Sequence, residues 1–90
     1  MNKEDLASKK IKIKHPEHNE KVQKYLFDCG ISWRSVGKKV RKRETISALF
    51  IDKNLNLSYL EHSPSNYEKD YFINHSYEEI TINKPLIFFI

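Results

Sequence analysis

The sequence predicts a single small α+β domain: a mixed or mostly antiparallel sheet of four to five strands, one main amphipathic helix and a short second one. Three observations predict it. The segments KIKIK and ISALFI carry strand patterning, the first alternating apolar with charged residues and the second apolar on both faces. Between Pro16 and Gly30 the apolar residues instead recur with helical spacing. The whole chain is 90 residues long, enough for one core but small for a core plus a deep walled cavity.

Residues 1–9 lack periodicity and are expected to be a flexible terminus, leaving 10–90 as the domain. In KIKIK, Ile11 and Ile13 face a core while Lys10, Lys12 and Lys14 share the wet face, as an anion-binding row or as an edge guarded against aggregation. HPEHNEKVQKYLFDCG follows. Pro16 suits the first helical turn, Glu17 and Glu20 complement the positive helix start, and Gly30 supplies the left-handed stop. Val22, Tyr25, Leu26 and Cys29 form the apolar stripe, which makes Cys29 a small buried hydrophobe in this reading. Glu17–Lys21 and Glu20–Lys24 are i,i+4 pairs worth about 0.2–0.5 kcal/mol each on the exposed face.

Ile31 and Trp33 restart an alternating pattern, broken by Gly37 and the basic run that follows. ISALFI, 46–51, reads as a central strand, and Asp52, Lys53 and Asn54 supply turn chemistry to a hairpin with 55–60. Ser65 and Glu68 have the form of a capping box for a short helix over about 66–75 that buries Tyr71 and Phe72. EITI, 79–82, is a last alternating strand ended by Pro85. The apolar LIFFI that closes the chain, Leu86, Ile87, Phe88, Phe89 and Ile90, either adds an edge strand or pairs with a second copy, giving a homo-oligomer.

Charge is unevenly distributed. Residues 1–43 carry a balance of +8 and residues 44–90 one of −4 within the net +4, a polarity suited to an anionic partner. Six cations, Arg34, Lys38, Lys39, Arg41, Lys42 and Arg43, fall within ten residues. They are the candidate partner- or anion-binding residues, with Arg34 able to hold phosphate or carboxylate bidentately. Trp33, Tyr25 and Tyr59 are the candidate stacking rings, although alternation puts Trp33 on the packed face with Ile31.

Catalytic signals are sparse. No glycine-rich phosphate loop, nucleophile elbow or HExxH motif occurs. His15 and His18 read as helix-start residues rather than a metal pair, and His62 and His75 as caps at element ends. Glu78 and Glu79, adjacent in a strand, point to opposite faces and are poorly placed to share a reacting bond. The expectation is a non-enzymatic protein with no metal and no cofactor. The single cysteine suggests a reducing compartment, the cytoplasm by default. The longest apolar run is far short of the roughly 20 residues of a membrane span, so no membrane partner is expected.

IKIKHPEHNEKVQKYLFDCGISW, then LFIDKNLNLSYL, then YFINHSYEEITI resembles a group of small phage-encoded proteins. They share an extended I-K-x segment, a helix with a Val/Gln-rich middle, a Gly-aromatic-x-Trp strand, a Y-L-F-I-D hairpin and a closing E-I-T strand. The likeness covers about residues 10–82. This chain departs from the group in Ile31, in its more basic 38–43 loop and in the LIFFI tail. The resemblance implies a phage accessory protein in the host cytoplasm that inhibits a host defence factor by stoichiometric binding, its basic surface meeting an acidic host protein. The alternatives are an oligomeric sponge for an anionic nucleotide immune signal and a small nucleic-acid-binding protein. A small hydrolase ranks last.

Overall fold

The computed structural model describes residues 3–62, 67–83 and 86–89. A 3-10 helix, Lys3–Leu6, precedes β1 (Lys9–Lys12), α1 (Pro16–Asp28), β2 (Ser32–Trp33), β3 (Ile46–Ile51), β4 (Asn56–Glu61), α2 (Tyr67–Asn74), β5 (Glu78–Asn83) and β6 (Leu86–Phe89). The α+β class and the order of elements are as the sequence predicts. The sheet is larger by a strand: among the described residues it has six, in the order β2-β4-β3-β1-β5-β6.

β1 runs antiparallel to β3 and parallel to β5, β3 and β4 form the expected antiparallel hairpin, and β2 lies parallel to β4 at the edge. Both helices therefore cross between parallel strands, α1 from β1 to β2 and α2 from β4 to β5. The two crossovers travel in opposite directions along the sheet, and a shared right-handed sense puts their helices on opposite faces. On one face α1 covers Ile11, Leu49, Ile51, Leu57, Ile80 and Ile82; on the other α2 covers Ala48 and Phe50 through Phe72. All six residues of β3 are buried, as its uninterrupted apolar character requires.

Local chemistry fixes the ends of α1. His15 is the N-cap, its Nδ1 accepting the His18 N–H at 3.2 Å, so the helix-start reading of this histidine holds. The buried His18 ring accepts the Lys14 N–H at Nδ1 and, as the Nε2–H tautomer, donates to the Ile82 carbonyl at 2.8 Å, tying α1 to β5. At the other end Gly30, φ 93°, lets the Ile31 N–H reach the Leu26 carbonyl and its own N–H reach Phe27. This is a Schellman motif, and Leu26 and Ile31, both fully buried, supply its apolar contact.

The structure departs from the sequence reading in several places. Within the N-terminal segment, the 3-10 helix Lys3–Leu6 delivers a fully buried Leu6 to the core. Lys10 is buried rather than wet: its ammonium bonds the Phe72 carbonyl and the His75 and Ile73 carbonyls at 3.1 and 3.4 Å, capping α2 from the sheet. A lysine stem covers apolar surface while its head satisfies the orphan carbonyls of a helix end. The buried face of α1 is His18, Asn19, Val22, Gln23, Leu26 and Phe27; Tyr25 and Cys29 are only half-buried. In α2, Phe72 is buried but Tyr71 is 43% exposed. Leu86–Phe89 takes the edge-strand option, pairing antiparallel with β5. Ser65, Pro85 and Ile90 lie outside the described residues.

Candidate binding surface

The segment from Trp33 to Arg43 leaves the sheet edge and has almost no regular structure, yet its course is closely held. Trp33 and Gly37 exchange both main-chain hydrogen bonds, at 2.8 and 2.9 Å, closing a tight turn over Arg34, Ser35 and Val36. Gly37 closes it at φ 65°, a conformation glycine adopts without steric cost.

Further on, two amides of α1 grip the chain at Arg41. Gln23 Oε1 accepts the Arg41 N–H at 2.8 Å, and Gln23 Nε2 donates to the Arg41 carbonyl at 2.9 Å. The side chain thus bonds the peptide as a neighbouring strand would. Asn19 Nδ2 adds a bond to the same carbonyl at 3.0 Å, and its Oδ1 accepts from Gln23 Nε2 at 2.7 Å. Gln23 Oε1 also accepts the Trp33 indole N–H at 3.1 Å. Gln23 is fully buried and Asn19 is 1% exposed. Gln23 has its hydrogen-bonding capacity filled and Asn19 engages both polar atoms of its amide; such buried, bonded amides rigidify their surroundings, and here they satisfy main-chain groups that no strand pairs.

The six predicted cations are separated by this clamp into two kinds. Arg41 is half-buried and structural: its guanidinium lies 4.8 Å from the Trp33 ring centre and 5.7 Å from that of Tyr59, and Nη2 donates to Ser35 Oγ at 3.1 Å. Its Nε is buried without a hydrogen-bond partner. Arg34, Lys38, Lys39, Lys42 and Arg43 are exposed. Lys42 approaches Glu20 at 3.9 Å and Arg43 approaches Glu61 at 3.8 Å, long exposed pairs that contribute little. Arg34, Lys38 and Lys39 form no ion pair among the described residues.

The predicted stacking rings do not form a platform. Trp33 is 3% exposed, edge-on to Tyr59 with ring centres 5.9 Å apart and roofed by Arg41, so it has no open face for a base. Tyr59 is half-buried under the guanidinium groups of Arg41 and Arg43. Tyr25 packs against the α1 core, and burial, with the Cys29 thiol bonded beside it, pushes its phenol above the ordinary range. No group of three or more metal-ligating side chains occurs among the described residues.

Asn19, Gln23 and Lys10 are the residues that sequence reading missed. Asn19 and Gln23 left a signal: an amide pair at i,i+4 interleaved with Val22 and Leu26 on one helix face. No helix among the described residues is long and apolar enough to cross a membrane. In comparison with known proteins, the chain matches no family model, no curated protein and no solved structure.

Proposed function

We propose that this chain is a non-enzymatic binding protein that grips the acidic surface of a protein partner through the cationic loop 34–43 and acts by occupying that surface. The observation that carries the reading is the double amide clamp on Arg41. It holds an otherwise irregular segment in one conformation while the cations around it stay exposed. A preorganised loop loses little conformational entropy on association, so its charges act in binding rather than in ordering the loop. The tip favours protein over nucleotide: Val36 is 42% exposed among the cations, whereas Trp33 is sealed from stacking. The resemblance to small phage-encoded proteins makes a host defence factor the expected partner and inhibition by occupancy the expected effect.

The test replaces Arg34, Lys38, Lys39, Lys42 and Arg43 with Gln and leaves Arg41 in place. Nuclease-treated lysate of a susceptible host is passed over parent and variant. The reading expects one host complex to be retained by the parent, released as salt rises from roughly 50 to 200 mM, and absent with the variant, together with loss of the biological effect. An unchanged effect in the variant rejects it. Nucleic acid is the second reading, favoured by the density of cations. It expects nuclease to abolish retention and a salt slope of about 0.9 per neutralised phosphate on a duplex.

A further inference from the structure

A cleft lies between α2 and the sheet, with a volume of about 180 Å³. Its buried surface comes from Ile13, Ala48 and Phe72 together with Ser47, whose hydroxyl donates to the Leu60 carbonyl at 3.1 Å, and the 71%-exposed Ile73 stands on its wall. Exposed Lys12 and Lys69 form its rim. Glu68, the one acid among the described lining residues, is held by His62 at 3.1 Å, its side chain only 11% exposed. The cleft is therefore apolar within and cationic at its mouth. An apolar cavity of about 150 Å³ accommodates a benzene-sized group, so this one has room for a single leucine or phenylalanine side chain.

The cleft adjoins the base of the cationic loop. The His62 N–H donates to the Thr45 carbonyl at 2.7 Å, and the neighbouring Glu61 takes the Thr45 hydroxyl and approaches Arg43. A partner segment leaving Arg43 passes Thr45, Glu61 and His62 to reach the rim, with the Glu61 carboxylate facing Arg43 and the Thr45 hydroxyl. Both surfaces select the same chemistry, negative charge, and the cleft adds an apolar requirement that the loop alone does not impose.

We infer that the cleft seats one apolar side chain of the acidic protein partner, a leucine- or phenylalanine-sized anchor flanked by carboxylates that meet Lys12 and Lys69. The inference rests on the reading of 34–43 as the gripping loop and adds a second, shape-selective contact beside it. Interface energy concentrates on such buried apolar anchors, while rim charges govern encounter and orientation. Ile73, 71% exposed at the cleft, becomes part of the anchor's wall.

The test selects short random peptides displayed on yeast against the intact protein, then measures the recovered peptides against three variants. Ile73→Glu and Lys12→Glu alter the wall and rim at exposed positions, where the fold is insensitive; the five-residue Gln variant removes the loop charge. The inference expects acidic peptides with one enriched Leu or Phe. It also expects at least about tenfold weaker binding when that residue becomes Ser or when Ile73→Glu is used, a loss within what burial of one large apolar side chain supplies. Acidic peptides that lose affinity in the loop variant but carry no enriched apolar position, or ignore Ile73→Glu, overturn the anchor and leave the loop reading standing. Peptides without acidic enrichment, or indifferent to the loop variant, overturn both.

Discussion

Against α1 the sheet buries a continuous apolar layer, and the polar groups drawn into it, His18, Asn19 and Gln23, are hydrogen-bonded. Against α2 the buried cluster among the described residues is Ala48, Phe50 and Phe72, with Lys10 reaching through to hold the helix end. Among the described residues, three of the four exposed large hydrophobics, Tyr67, Tyr71 and Ile73, lie on α2; the fourth, Val36, is at the tip of the basic loop. The difference teaches where stability and availability reside. The α1 face closes the domain and clamps the basic loop, and the α2 face leaves apolar groups open to a partner.

The sharpest way to break this comparison is to truncate one large buried side chain on each face. Leu26→Ala, at a fully buried site on the α1 side, is expected to cost about 2–5 kcal/mol, a large share of the roughly 5–15 kcal/mol typical of a domain, measured by urea denaturation. Phe72→Ala is expected instead to release α2 locally: its amides exchange with deuterium while those of α1 stay protected. If both variants lose protection everywhere, the two faces form one cooperative unit and the contrast fails.

Next in size is Gln23→Leu, which orphans the Trp33 and Arg41 N–H groups. About 2–4 kcal/mol of destabilisation is expected, with faster exchange at the Arg41 amide as the specific signature. Gln23→Glu keeps the acceptor for both donors but turns the Nε2 donor into an oxygen facing the Arg41 carbonyl and Asn19 Oδ1 at a fully buried site, so it should not recover the loss. Lys10→Met tests the other face. It leaves carbonyls at the end of α2 without their ammonium donor, at a cost of about 1–3 kcal/mol, and accelerates exchange in α2 more than in α1. The smallest effect belongs to the loop charges themselves. Lys38→Gln with Lys39→Gln should change stability by less than about 0.5 kcal/mol, since both residues are exposed and form no ion pair among the described residues; a larger change in denaturation midpoint would mean the loop is part of the core.

Element order was legible in the sequence because it depends on neighbours in the chain. Pro16, the apolar repeat and Gly30 mark α1, and apolar continuity over 46–51 marks a central strand. The two-residue β2 was visible only as Ile31 and Trp33 alternating, and the same alternation correctly buried Trp33. Lys10 misled because period two assigns it to the face opposite Ile11, and whether that face is wet depends on a helix more than fifty residues away. The clamp was half legible: Asn19 and Gln23 share a face with Val22 and Leu26, but nothing local says that two amides will seek the main chain of Arg41.

By itself, the sequence determined the α+β class, the positions of the helices and inner strands, and the crowding of cations into 34–43. These follow from periodicity, capping and composition, which act over a few residues. Only the tertiary structure decided which cations are structural, which aromatic faces are closed and where a cleft opens beside the loop. Those outcomes require Gln23 to meet Arg41, Lys10 to meet α2 and His62 to meet Thr45, contacts set by the crossing of strands distant in sequence, where burial makes each unsatisfied polar group costly enough to choose its partner.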